Sequence, residues 1–167
     1  RSPNQKLLGI APFAQYQSKV YPLDLMQEVI SKLAVNQDQT ILLFGGGQQE
    51  TELLDAFAKP FGNVINIAGK LTFAQELQLI SNLDVMLSMD SGNAHIAAML
   101  GVKVITLWGA THPYAGFSPF NQPIENALVA DRNLFPKLPT SVYGNKKVEG
   151  YEDAMRTILP EEVVAKL

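Results

Sequence analysis

The sequence predicts an α/β protein, a three-layer α/β/α sandwich around a mostly parallel sheet. Three observations point there. Short apolar, β-rich runs recur along the chain. Amphipathic stretches of roughly 10 to 14 residues separate them, as βαβ units require. The runs are almost continuously apolar, which suits strands covered on both faces.

Six runs read as strands: Leu7–Ala11, Thr40–Phe44, Val64–Ile67, Val85–Ser88, Val102–Trp108 and Ala127–Ala130. Between the first two, Leu25, Met26, Val29, Ile30 and Leu33 follow the i, i+3, i+4 spacing of one buried helix face. Leu53, Leu54, Phe57 and Ala58 mark a second helix, and Phe73, Leu77, Leu79 and Ile80 a third. His95, Ala98 and Met99, among small residues, mark a fourth. GATHPYAGFSPFNQP follows Trp108 and is too rich in Gly and Pro for a regular element. The chain is irregular again from about Asn133 to Lys147, before a closing helix over Tyr151 to Ile158. Pro160–Leu167 forms one more, with Pro160 in its first turn. The 167 residues thus read as a single domain with an irregular and helical tail from about residue 131.

Composition narrows the function. A net charge of -3 leaves no basic surface for nucleic acid. The chain has no cysteine, so disulfides and thiolate metal sites are excluded, and two histidines without an HExxH pattern make no metal site. No apolar run approaches the ~18 residues of a transmembrane helix. RSPNQKLLGI is not a signal peptide; it lacks an initiator methionine and enters a strand at once, so the chain is expected to be cut from something longer.

In an open sheet of order 3-2-1-4, ligands bind between the loops after strands one and four. Those loops are APFAQYQSK and MDSGNAH. Lys19 precedes Tyr21–Pro22, with Pro22 read as an early helical residue, so its ammonium could meet an anion near the helix start; the alternative is a solvated lysine. FGGGQQETE is neither a dinucleotide fingerprint nor a Walker loop, and its Glu50 either binds ribose hydroxyls or offsets the helix dipole. In MDSGNAH, Asp90 or Ser91 caps a helix whose first amides, bared by Gly92, suit a phosphate. Asp90 is awkward beside a phosphate unless it points past it, towards hydroxyls. Ala94, Ala97 and Ala98 let that helix sit close to the sheet. His95 is expected to pack beneath the loop and bond a backbone group rather than catalyse. Gly109, Thr111 and Pro113 would form the far wall of the crevice, with His112 an exposed loop residue.

Together these residues resemble a family. DSGNAHIAAMLGVKVITLWGATHP is similar to the D-[ST]-G-x-x-H-x-A-A signature of glycosyltransferase family nine, the ADP-heptose heptosyltransferases of lipopolysaccharide assembly, through Asp90, Gly92, His95, Ala97, Ala98, Gly101, Leu107, Gly109, Thr111 and Pro113. SKVYP resembles the family's K-x-W-P, with Tyr21 in place of Trp, and FGGGQQE resembles its glycine-rich turn. IAGKLTFAQELQLI resembles A-G-K-x-S-L-x-E-x-x-x-L-I, with Gln75 where an acidic residue is usual. The resemblance runs from about residue 7 to 120.

It implies one half of a GT-B enzyme: a Rossmann-like, C-terminal domain that binds a nucleotide-sugar donor, ADP-heptose. The N-terminal domain, absent from this chain, would bind the lipid-linked saccharide acceptor and supply the base. The implied reaction is inverting and metal-independent, uses no cofactor, and takes place in the cytoplasm, peripherally at the inner face of the inner membrane. This chain alone would be inactive. Lys19 would neutralise the diphosphate as the sugar leaves. Backbone at Ala14–Gln15 and amides of Ser91, Gly92 and Asn93 would hold phosphate oxygens. Glu50 would hold the ribose, Leu71 line the adenine pocket, and Asp90 touch sugar hydroxyls; His95, Gly109, Thr111 and Pro113 would be structural. Two hydroxyl residues of some relatives are replaced by Ala14–Gln15, and LPTSVYGNKKV lacks cysteines found in others. The alternatives are a donor domain for a UDP-sugar in another GT-B family, or a non-catalytic binding module using the apolar loop Tyr114 to Phe120.

Overall fold

The computed structural model describes residues 5–167. Six strands, β1 (Lys6–Ala11), β2 (Gln39–Leu43), β3 (Val64–Asn66), β4 (Val85–Met89), β5 (Lys103–Trp108) and β6 (Ala127–Val129), stand in the order β3-β2-β1-β4-β5-β6. Every neighbouring pair is parallel. β4 is buried at all five positions, which explains its unbroken apolar character. The chain winds one way from β1 through β3, then crosses back to β4 and continues the other way. The loops after β1 and β4 therefore part at the carboxyl edge, where such folds hold ligands.

Two apolar layers sandwich the sheet. One joins Met26, Val29 and Ile30 of α1 (Leu23–Ala34) to Leu54 and Phe57 of α2 (Gly47–Ala58), and to Val163 of α5 (Pro160–Lys166). The other joins Ile80 of α3 (Phe73–Ile80) to Ala94, Ala97 and Ala98 of α4 (Gly92–Met99). Alanines on α4 let its backbone approach β4 and β5.

Some expectations change. Phe73 and Met99, assigned to buried faces, are 66% and 77% exposed. Phe73 sits in the first turn of α3, where the chain has only just left the Thr72 cap, and Met99 in the last turn of α4, turned away from its alanine face. Tyr151 to Ile158 does not form a helix; only Ala154–Thr157 makes a 3₁₀ turn. The Thr157 hydroxyl donates to the Ala154 carbonyl at 2.7 Å, competing with helical pairing. The Leu159–Pro160 step then forces extended backbone before α5. Pro22 is the N-cap of α1, one position outside the helix. Pro160 opens α5 as expected.

The tail is part of the core. Met155 and Ile158 pack with α1 and the central strands. Tyr21, fully buried, donates its hydroxyl to the Ile158 carbonyl at 2.7 Å. Burial, reinforced by Glu28, Asp24, Glu161 and Glu162, drives its phenol well above the ordinary range.

Candidate functional site

The predicted residues gather along one edge of the sheet, because a parallel sheet delivers every strand's carboxyl end to the same side. β1 leads to Ala14, Gln15 and Lys19, β2 to Glu50, and β3 to Leu71. β4 leads to Asp90–Asn93, and β5 to Gly109–Pro113.

At the switch point three side chains meet. Lys19 ends a 3₁₀ turn (Gln17–Lys19), and its Nζ lies 3.3 Å from Asp90 Oδ2. Thr111 donates its hydroxyl to the same oxygen at 2.9 Å. Asp90 and Lys19 are only 5% and 12% exposed. Asp90 Oδ1 accepts no hydrogen bond among the described residues and remains free to accept one. The two side chains form a largely buried ion pair at the head of α4.

α4 begins directly after. Ser91 is its N-cap, but the Ser91 hydroxyl faces Ser88 Oγ at 3.0 Å instead of capping the helix. A helix leaves its first amides without intrahelical partners. Here the Ser91 hydroxyl does not cap, and the Gly92 and Asn93 N–H groups have no hydrogen-bond partner among the described residues. Gly92 has no heavy atom within 4 Å of where a Cβ would stand.

Elsewhere along the edge, Glu50 Oε2 accepts the Gly46 amide at 2.8 Å, fastening the start of α2. Leu71 is half-buried in the turn between β3 and α3, Ala14 half-buried and Gln15 exposed after β1. His95 is half-buried on α4 and its ring makes no hydrogen bond among the described residues, so the expected backbone tie is not formed. His112 is half-buried rather than exposed, and its Nδ1 accepts the Tyr114 amide at 3.2 Å. Burial, then the nearby Arg132 charge, lowers its pKa.

Sequence reading missed three residues that shape the site. Ser18 donates to the Gly144 carbonyl, drawing the tail across the 3₁₀ turn. Gly144 lies against Lys19 and Thr111. Met155 packs where Gly109 has no side chain: a Cβ at Gly109 would stand 2.5 Å from Met155 Cγ and 2.8 Å from the Ser18 carbonyl oxygen. No local pattern signals contacts between residues 126 positions apart. A cavity of about 490 Å³ adjoins this region; Ser18, Leu23, Thr140, Tyr151 and Met155 line it, but not Lys19 or Asp90.

The profile of Glycosyltransferase family 9 (heptosyltransferase) matches residues 2–147. Lipooligosaccharide heptosyltransferase 2 of Haemophilus influenzae is 26% identical over 166 residues, covering 96% of this chain and 46% of that protein. The E. coli heptosyltransferase WaaC, solved with ADP, superposes with a TM-score of 0.74 at 18% identity, over 98% of this chain and 43% of that one. TibC, an iron-containing dodecameric glycosyltransferase of enterotoxigenic E. coli, superposes at 0.68 with 14% identity, over 99% and 45%. Among the described residues there is no group of three or more His, Cys, Asp or Glu placed to hold a metal ion. No helix is long and apolar enough to cross a membrane among the described residues. The chain spans about half the length of the relatives it matches. With its match to the family profile over most of its length, the chain belongs to glycosyltransferase family 9, the heptosyltransferases.

Proposed function

We propose that this chain is the donor-binding, C-terminal half of a heptosyltransferase that transfers a sugar from ADP-heptose to a lipopolysaccharide core acceptor. The observation that carries the reading is the largely buried Lys19 ammonium at the sheet's switch point, 3.3 Å from Asp90 at the head of α4. A diphosphate placed there meets a cation and the open amides of Gly92 and Asn93 together. Asp90 offers Oδ1 to hydroxyls of the attached sugar. Backbone at Ala14–Gln15 adds phosphate contacts, Leu71 lines the adenine pocket, and Glu50 reaches the ribose through the carboxylate oxygen that Gly46 does not use.

Transfer breaks the bond between the anomeric carbon and the diphosphate, whose oxygen keeps the electron pair. Lys19 and the α4 amides are fixed before the reaction and stabilise that charge as it grows. An acceptor hydroxyl attacks from the opposite face, inverting the centre, and its proton passes to a base in the N-terminal, acceptor-binding half. In this reading no metal carries the diphosphate charge, and the enzyme works at the cytoplasmic face of the inner membrane.

Calorimetric titration with ADP, ADP-heptose and UDP-sugars tests the proposal. ADP and ADP-heptose are expected to bind better than UDP-sugars. Lys19→Ala is expected to weaken ADP about tenfold or more, the scale of a lost charge-assisted contact. Absence of ADP binding at millimolar ligand, or equal affinity in the variant, rejects it.

A further inference from the structure

Lys19 is held from above by a segment that belongs to no strand or helix of the sandwich. The Leu138–Lys146 stretch is stitched to the β5 loop through the Thr140 amide, which donates to the Ala110 carbonyl at 2.9 Å. The Thr140 hydroxyl donates back to the Lys146 carbonyl at 2.8 Å, closing the stretch into a compact loop. Gly144, buried in that loop, receives the Ser18 hydroxyl at its carbonyl.

Its position is unusual in two ways. Its φ is +75°, and a Cβ there would stand 2.8 Å from Lys19 Cγ, 2.9 Å from Lys19 Cδ and 3.1 Å from Thr111 Cγ2. The atoms in the way are the middle of the Lys19 stem, not its free end. A methyl group therefore cannot be accommodated unless the whole side chain swings, and the ammonium leaves Asp90 with it. Gly116 and Gly150 share a left-handed backbone but have open space around them. Only at Gly144 do the conformation and the close approach to a charged group coincide.

We infer that Gly144 is a positioning residue for Lys19: the bare backbone of the tail loop, tied down by Ser18, sets where the ammonium sits over Asp90. The inference rests on the proposed contact of Lys19 with the donor's diphosphate, here taken to be at the phosphate that AMP lacks. It extends the binding site to a tail segment outside the Rossmann-like core.

Two readouts on the 167-residue chain test it. The first does not depend on nucleotide binding: the rate of Lys19 acetylation by acetic anhydride, followed by peptide mass spectrometry. Lys19 is expected to label slowly in the parent chain and about tenfold faster in Gly144→Ala. The second is a pair of affinities. ADP is expected to weaken about tenfold in Gly144→Ala, towards the value for Lys19→Met, while AMP, which lacks the second phosphate, is unchanged. Gly150→Ala carries the same backbone cost without the contact, and should alter neither readout. Ser18→Ala removes the tie without adding an atom and should shift both in the same direction, which keeps the test alive if Gly144→Ala does not fold. Unchanged Lys19 labelling in the folded variants overturns the inference, as does an equal loss for ADP and AMP. If the parent chain binds no ADP, the proposed function falls, and the labelling rate alone decides the role of Gly144.

Discussion

Asp90 Oδ2 receives both the Lys19 ammonium and the Thr111 hydroxyl, so one carboxylate oxygen ties together loops from β1, β4 and β5. Each of these residues was legible as a site candidate from its local motif. Their mutual contact was not, because Lys19 and Asp90 lie 71 positions apart and only the strand order joins them. His112 shows the opposite case, a residue read as exposed whose ring in fact caps the start of the 3₁₀ turn Pro113–Ala115. Its Nδ1 accepts an amide, so the folded loop needs the neutral ring, and burial with Arg132 depresses its pKa below 6.5. The unfolded chain then takes up a proton before the folded one does. Stability contributed by this group is complete above about pH 6.5 and is lost as pH falls from there through the lower, folded value. Urea unfolding at about pH 8 and about pH 5.5 should show that loss, and His112→Asn, which keeps an acceptor without titrating there, should reduce it. An unreduced pH dependence in the variant would place the effect elsewhere.

At the level of elements, the strands and first four helices follow from periodicity because their packing is local and repetitive. The boundaries moved by a residue or two: β2 is Gln39–Leu43, for instance, against the expected Thr40–Phe44. What periodicity could not supply was the join between α1 and the tail. The Tyr21 hydroxyl reaches the Ile158 carbonyl across 137 positions, in a fully buried environment. Tyr21 matched a family motif as an aromatic, but its hydroxyl has a structural role that Trp would fill differently. Tyr21→Phe leaves that carbonyl without its donor and is expected to cost about 1–3 kcal/mol of unfolding free energy. Chemical denaturation measures it; a change near zero would show that water replaces the hydroxyl.

Across the whole molecule, the family match stops at residue 147, yet Met155, Ile158 and Val163 beyond it are buried in the larger apolar layer. Their burial contributes roughly 5–9 kcal/mol at ~1.5–3 kcal/mol per side chain. That is comparable with the ~5–15 kcal/mol that holds a domain folded. A chain ending at residue 147 is therefore expected to lose its cooperative thermal transition by circular dichroism; a sharp melt near that of the full chain would contradict this. The tail was the least legible region, since its order comes from docking onto α1 and the β5 loop and leaves no periodic trace. The Ser18–Gly144 tie gives that docking a practical meaning for protein engineering. A chimaera that swaps donor specificity between relatives by exchanging only the six-stranded sheet and its helices would leave behind the loop that seats Lys19. A graft cut near residue 131 would carry Lys19 across without the tail loop that packs against its stem, so the sheet and its tail belong together in any exchange.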